Sequence, residues 1–332
     1  MTVAAPSTLE REPTIPRAQA PAPPPPVRRS RVLSARRLPF VFATPAVLLV
    51  AVMLVVPLVY TIVLSTTSAE GSLNRPMDFI GLQNYWTALT DSGRFWPAVM
   101  RTAVFTIAAV VIELVLGLGI ALLLQKPFRG RGAVRLLILL PLVATPVAVS
   151  MMWLLIFEPS IGFANQLLGW LGIPAQGFLS DPAQSMPVLI FIDAWQWTPM
   201  IALILMAGLT TVPEEPVEAA MMDGANAWQR FFHVVLPIIW PTVLVAVLLR
   251  SIDALKTFDL IYALKGPGGG PFHEAETLNI LVYTLTFAFG EFGYASAVLM
   301  LFFILVVAFC AVLVLSRRRG DLPRASKGKR IR

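Results

Sequence analysis

Long apolar stretches without a charged residue, clearest at 40–69, 136–157, 194–213 and 293–316, limit what this chain can fold into more than any other feature. A bilayer core about 30 Å thick is crossed by roughly 20 apolar residues in helical form. Helices suit it because each satisfies its own backbone polar groups where no water is present. A balance of 57% hydrophobic to 14% charged residues in a chain of 332 points the same way and excludes an ordinary soluble protein.

The apolar pattern predicts an all-α, polytopic membrane protein with six transmembrane helices, at 40–64, 98–124, 133–157, 187–209, 238–260 and 293–315. Residues 1–38, rich in Pro, Ala and Arg and without hydrophobic period, are expected to be a disordered tail. The apolar run after it is too long for a signal peptide and is expected to stay as the first span. Residues 39–316 then form the membrane domain and 317–332 a basic tail. Arg28, Arg29, Arg31, Arg36 and Arg37 before the first span, and Arg317, Arg318, Arg319, Arg324, Lys327, Lys329, Arg330 and Arg332 after the last, put both termini in the cytoplasm. The net charge of +7 is thus topological and gives no reason to expect nucleic acid as a partner. The link with Lys126, Arg129, Arg131 and Arg135 is inside, and 158–186, with no Lys or Arg, is outside. By alternation the loop 211–237 is cytoplasmic.

That loop reads as two short helices joined by a turn. Thr211 with Glu214 offers a capping box, Gly224 a left-handed helix end, and Asn226 with Gln229 a second cap, while Pro237 should restrict continuation into the fifth span. Glu218, Ala219 and Ala220, then Asp223 and Gly224, then Val234, Leu236 and Pro237 form a spaced pattern. It resembles the Glu-Ala-Ala loop of ATP-binding-cassette import permeases, with Val234 in place of the usual isoleucine. The resemblance implies an importer-permease bundle in the inner membrane whose coupling helix sits in a groove of an ATPase. It also implies a second permease of similar fold, two ATPase subunits and an external solute-binding protein as partners, beside membrane lipid. Phe79, Gly81, Leu82, Asn84 and Tyr85, and later Arg250, Asp253, Phe258, Asp259, Tyr262, Glu276 and Thr277, resemble segments of the carbohydrate-type branch, as does 293–297. A disaccharide or oligosaccharide is the expected solute, with glycerol phosphate or a glycerophosphodiester as the alternative.

Glu113, Asp193, Arg250, Asp253, Lys256 and Asp259 lie in or near spans, where ionisable groups face protein or a water-filled cavity. The last four are spaced by three with alternating sign, which permits a salt-bridge ladder along one helix. Glu113 is expected to pair with another helix. In the resembled family the sugar lies midway through the membrane beside the helices flanking the coupling loop. This points to Asp193 and Trp197 on one side and Asp253 and Thr257 on the other, with Trp195 and Phe258 as further candidates. Carboxylates and hydroxyls suit sugar hydroxyls and an indole suits a ring face, although Trp195 and Trp197 could equally belong to an interfacial aromatic belt.

No G-x-x-x-x-G-K-[ST] pattern occurs, so ATP hydrolysis is expected on a separate subunit and this chain is expected to be neither an enzyme nor a cofactor carrier. One cysteine, Cys310, and two distant histidines give no expectation of a metal site. An ion-coupled secondary transporter using the intramembrane acids, and a membrane enzyme using Asp193 and Asp253, are the competing readings. The loop spacing, the lack of an evident inverted repeat and the lack of a supporting cluster weigh against them.

Overall fold

The structure, a computed structural model, describes residues 38–72, 76–90 and 93–320. The expected tails, 1–37 and 321–332, lie outside the described residues. By contact density the chain divides into two units, 1–55 and 56–332. In the first, every described side chain, 42–55, is exposed, along a helix with no charged residue. The second unit holds the candidate site residues.

Thirteen α-helices are described: α1 Leu38–Ser65, α2 Gln83–Thr90, α3 Phe95–Gln125, α4 Arg131–Val143, α5 Pro146–Ile156, α6 Phe163–Trp170, α7 Pro182–Leu209, α8 Glu214–Met222, α9 Ala227–Arg230, α10 Leu236–Leu255, α11 Asp259–Lys265, α12 Leu278–Tyr283 and α13 Phe292–Gly320. Among the described residues there is no strand, only an isolated bridge between Thr67 and Phe79. Five continuous helices, at Phe42–Ser65, Phe95–Gln125, Pro182–Leu209, Ala227–Leu255 and Phe292–Leu315, are long and apolar enough to cross a membrane. The sixth apolar segment is α4 and α5, which meet at 98°.

That break corrects the expectation of one helix over 133–157. Thr145 precedes Pro146, whose ring disfavours helical geometry in the residue before it. Ala144 and Thr145 are accordingly extended, and α5 restarts with Pro146 in its first turn and Thr145 Oγ1 accepting from Ala148 N. A backbone carbonyl freed inside the membrane needs another donor. Gln196 of α7 supplies it, its Nε2 donating to Ala144 O at 3.1 Å. The break is therefore held by a helix fifty-two residues away in sequence.

α3 and α7 pack closely because Gly117 has no side chain: a Cβ there would lie 2.7 Å from Ile201 Cγ2. Ala121, Ile201, Leu205, Leu209, Ile239, Val243 and Ala246 continue this seam into α10 as one buried cluster. A second cluster joins Phe105 and Ala109 of α3, Val149 of α5, Leu189 and Ile192 of α7 and Ile261 of α11. The third, around Phe95, Leu278, Leu281, Val298 and Phe302, fixes α12 and α13 against the start of α3.

The fifth span differs from expectation at both ends. Pro237 does not interrupt it: α9, a π-helical turn at Phe231–Val235 and α10 form one helix, Ala227–Leu255. A proline inside an α-helix lacks an N–H and crowds the carbonyl four residues back. Here the wider turn immediately before Pro237, closed by Leu236 N donating to Phe231 O, accommodates it. At the other end the helix stops at Leu255 instead of 260, and α11 starts afresh at Asp259.

Candidate functional site

Two places hold the residues singled out from sequence. The first is the hairpin between α7 and α10. Glu218, Ala219 and Ala220 lie on α8, Asp223 caps its end, and Gly224 adopts φ +79 in open space, so backbone geometry and not crowding demands glycine there. Asn226 and Gln229 form the expected reciprocal cap, Asn226 Oδ1 accepting from Gln229 N at 2.9 Å and Gln229 Oε1 from Asn226 N at 2.8 Å. The expected box at Thr211 is absent. Pro213 occupies the cap of α8 without a side-chain bond, and Thr211 Oγ1 donates backwards to Gly208 O.

The hairpin is open to its surroundings. Glu218 and Ala219 are exposed, Met222 is 89% exposed and Trp228 72%. A cleft of about 380 Å³ between its arms is lined by Ala220, Asp223 and Gly224 facing Gln229 and Arg230. Leu236 and Pro237 stand at the start of α10.

The second place is a cavity of about 130 Å³ between α7 and the break after α10. It brings together five of the six residues expected beside the solute: Asp193, Trp197, Asp253, Thr257 and Phe258. Pro146 and Gln196, the two groups that make and hold the α4–α5 break, also line it. Trp195 does not; it packs edge-on against Trp153, ring centroids 5.4 Å apart.

Behind the cavity wall lies an ion cluster only partly expected from sequence. Arg250 of α10 is fully buried. Its Nε donates to Glu113 Oε2 of α3 at 2.7 Å, its Nη2 to Asp193 Oδ2 of α7, and its Nη1 to Asp253 Oδ2 at 3.1 Å. Its guanidinium also lies 5.3 Å from the Trp197 ring centre. Glu113 and Asp193 are themselves buried, whereas the Asp253 side chain is 48% exposed and faces the cavity. Glu113 therefore pairs with another helix, as expected. The ladder on one helix does not form: only its Arg250–Asp253 rung exists, because the helix ends before Lys256 and Asp259. One guanidinium thus ties three helices together and orients two of the cavity's three carboxylates, Asp193 and Asp253, and its indole, while Lys256 and Asp259 line the cavity without contacting it.

A polytopic all-helical chain, with a polar cavity walled by intramembrane charges and an exposed helical hairpin between two spans, is built as a membrane permease. Residues 113–321 match the family described as binding-protein-dependent transport system inner membrane component, and the chain belongs to it. It is 33% identical over 286 residues to the trehalose/maltose transport system permease protein MalF of Thermococcus litoralis, covering 86% of this chain and 95% of that protein. It is 36% identical over 281 residues to the trehalose transport system permease protein SugA of Mycobacterium tuberculosis strain H37Rv, covering 83% and 88%. A permease chain of a bacterial alginate ABC transporter, solved in complex with its pentasaccharide-bound periplasmic protein, shares the fold at TM-score 0.75 and 21% identity, covering 86% of this chain and 96% of that one. The chain is accordingly an inner-membrane transport subunit of an ATP-binding-cassette importer, a class that works with a binding protein and an ATPase, and is not an enzyme.

Proposed function

We propose that this chain forms half of the transmembrane pathway of a sugar importer, carrying a disaccharide or oligosaccharide delivered by an external binding protein. The single observation that carries this is the cavity in which Asp193, Trp197, Asp253, Thr257 and Phe258 converge. Carboxylates and a hydroxyl accept and donate to sugar hydroxyls while the aromatic faces cover the apolar side of a ring. The names of the trehalose and trehalose/maltose relatives favour the same solute class. Enclosed small-molecule sites are typically about 300–1,000 Å³, so a cavity of about 130 Å³ fits one wall of a pathway whose other wall is a second permease of similar fold.

In this reading both termini and the α8–α9 hairpin are cytoplasmic, and residues 39–316 form the permease domain. The hairpin is the coupling element for two ATPase subunits. Glu218 pairs with a basic group of the ATPase groove, Ala219 and Ala220 allow close approach, and Met221 and Met222 supply apolar anchors. Closure of the nucleotide sites moves the hairpin and, with it, the helices that carry the cavity wall.

The test is to purify the solute-binding protein that co-purifies with this importer and titrate it with sugars, amino acids and peptides by calorimetry, then measure uptake of the bound solute with active and inactive ATPase. Sugar binding with ATPase-dependent uptake is expected. Amino-acid or peptide binding, or uptake that persists without ATP hydrolysis, refutes the proposal.

A further inference from the structure

Phe258 closes one edge of the cavity and is also the first ring of a row that leaves it. Phe258 stacks on Tyr262 of α11 at 5.2 Å and 20°, and both meet Tyr283 of α12, at 5.2 and 4.8 Å between centroids. Tyr283 in turn meets Phe287 at 4.8 Å. The last contact is made in a π-helical segment, Thr284–Phe289, a wide turn of a kind often found at functional sites. The row begins at the cavity and ends at a ring that is 72% exposed. It lies beyond the end of α10, opposite the α8–α9 hairpin.

Phe258 and Tyr262 pack in part against the buried cluster around Ile261, and that packing does not call for the tyrosine hydroxyls. Tyr262 and Tyr283 are half-buried, and their hydroxyls lie 3.2 Å apart. One O–H serves that bond, which leaves the other O–H and the remaining lone pairs for another molecule. A row of partly exposed rings carrying a hydroxyl pair, neutral, and continuous with a cavity lined by Asp193, Asp253, Lys256 and Asp259 matches a pyranose, which has an apolar C–H face and hydroxyls around its rim. An acyl chain would make no use of the hydroxyl pair.

We infer that Phe258, Tyr262, Tyr283 and Phe287 form an aromatic track on which a sugar ring slides between the binding-protein side and the cavity. This rests on the sugar-import reading. The track binds weakly at each ring and in more than one register, because ring faces without convergent polar groups do not fix one position, and a pathway requires that the solute can leave each station.

The experiment uses the complete importer in membrane vesicles with its binding protein and radiolabelled trehalose or maltose, whichever that protein binds. Phe287→p-benzoylphenylalanine is irradiated during turnover. Sugar label on this chain, competed by unlabelled sugar, is expected. Cross-links only to lipid or to the second permease overturn the track. In parallel, Tyr283→Leu lowers the initial uptake rate by up to about tenfold while Tyr283→Phe, which keeps the ring, stays within about threefold of wild type. Equal loss in both, or none in either, also overturns it. Wild-type uptake accompanied by these negative results removes the track alone; no sugar uptake by wild type removes the track together with the reading beneath it.

Discussion

Replacing Arg250 by methionine is the most informative single change, because the residue is fully buried and its partners come from three helices. Methionine keeps much of the length and all of the apolar stem, so packing is largely retained and charge is lost. Glu113 and Asp193 are then left facing each other in a dry interior without their cation. Breaking a buried pair from one side costs about 3–5 kcal/mol. The Asp253 contact adds little, since that carboxylate is half exposed and screened by water. A loss of that size lowers the midpoint of thermal unfolding by on the order of 10 °C for a chain this long.

The assay is size-exclusion chromatography of the detergent-solubilised chain after heating at a fixed rate, a kinetic midpoint being the quantity an irreversibly unfolding membrane protein offers. The decisive comparison is the triple variant Arg250→Met, Glu113→Gln, Asp193→Asn. It removes the cation and both dry acids together, and neutral replacement of a buried ion cluster is often harmless. The triple variant is expected to recover most of the loss. If Arg250→Met melts within about 2 °C of wild type, or the triple variant is less stable than the single one, Arg250 does not tie these helices together.

Three further outcomes are expected. Asp253→Ala abolishes uptake while the importer still assembles, measured by radiolabelled uptake beside co-purification; unchanged uptake removes Asp253 from the pathway. Glu218→Lys combined with Gly224→Pro, the second of which cannot adopt φ +79, leaves membrane insertion intact and abolishes ATPase association in a pull-down; normal association rejects the docking role. The third concerns pH in the loop between α11 and α12. Burial pushes the Glu274 carboxyl up, but the hydrogen bond from Lys265 at 2.6 Å and those from backbone N–H groups outweigh it and hold it below its ordinary value. Its stabilisation is therefore present above the unfolded carboxylate value, about 4.3, and is lost as pH falls through the lower folded value. Amide exchange of 266–277 is expected to rise only below about pH 4, and Lys265→Met should weaken that dependence, the backbone bonds to Glu274 remaining.

The positions of the spans were legible because charge-free runs of membrane length have few other uses, and the hairpin because Gly224 and the Asn226–Gln229 pair act locally. What escaped was set by distant partners. Proline alone did not reveal the break at Ala144: Pro199 and Pro241 sit inside α7 and α10 without ending them. At Ala144 the difference is a donor, Gln196, that makes an extended backbone tolerable in lipid. The salt-bridge ladder failed for a related reason. Spacing by three promises neighbours only while the helix lasts, and nothing local marks Leu255 as its end. The Arg250–Glu113 pair joins residues 137 apart. The general rule that membrane charges seek partners identified Glu113 as paired, and only the fold says with which residue.

Continuity through Pro237 matters most for how the two sites relate. A hinge at that proline would have let the hairpin move without disturbing the spans. Instead the helix that starts three residues after Gly224 runs unbroken to Leu255, 29 residues and thus roughly 43 Å. Its last two turns carry Arg250 and Asp253. Arg250 is held by α3 and α7, so α10 cannot turn about its axis without pulling Asp193 and Trp197, the opposite wall of the cavity. The helix is irregular at the π turn at Phe231–Val235, where Trp228 stacks on Phe232 at 5.7 Å on its outer face, and at Pro241, which donates no backbone hydrogen bond. A load applied at the hairpin is therefore either absorbed at the π turn or at Pro241, or delivered to the ion cluster. Between Pro241 and the cluster the helix is regular, and under the proposed transport function this favours a wall that switches as one body over one that deforms residue by residue.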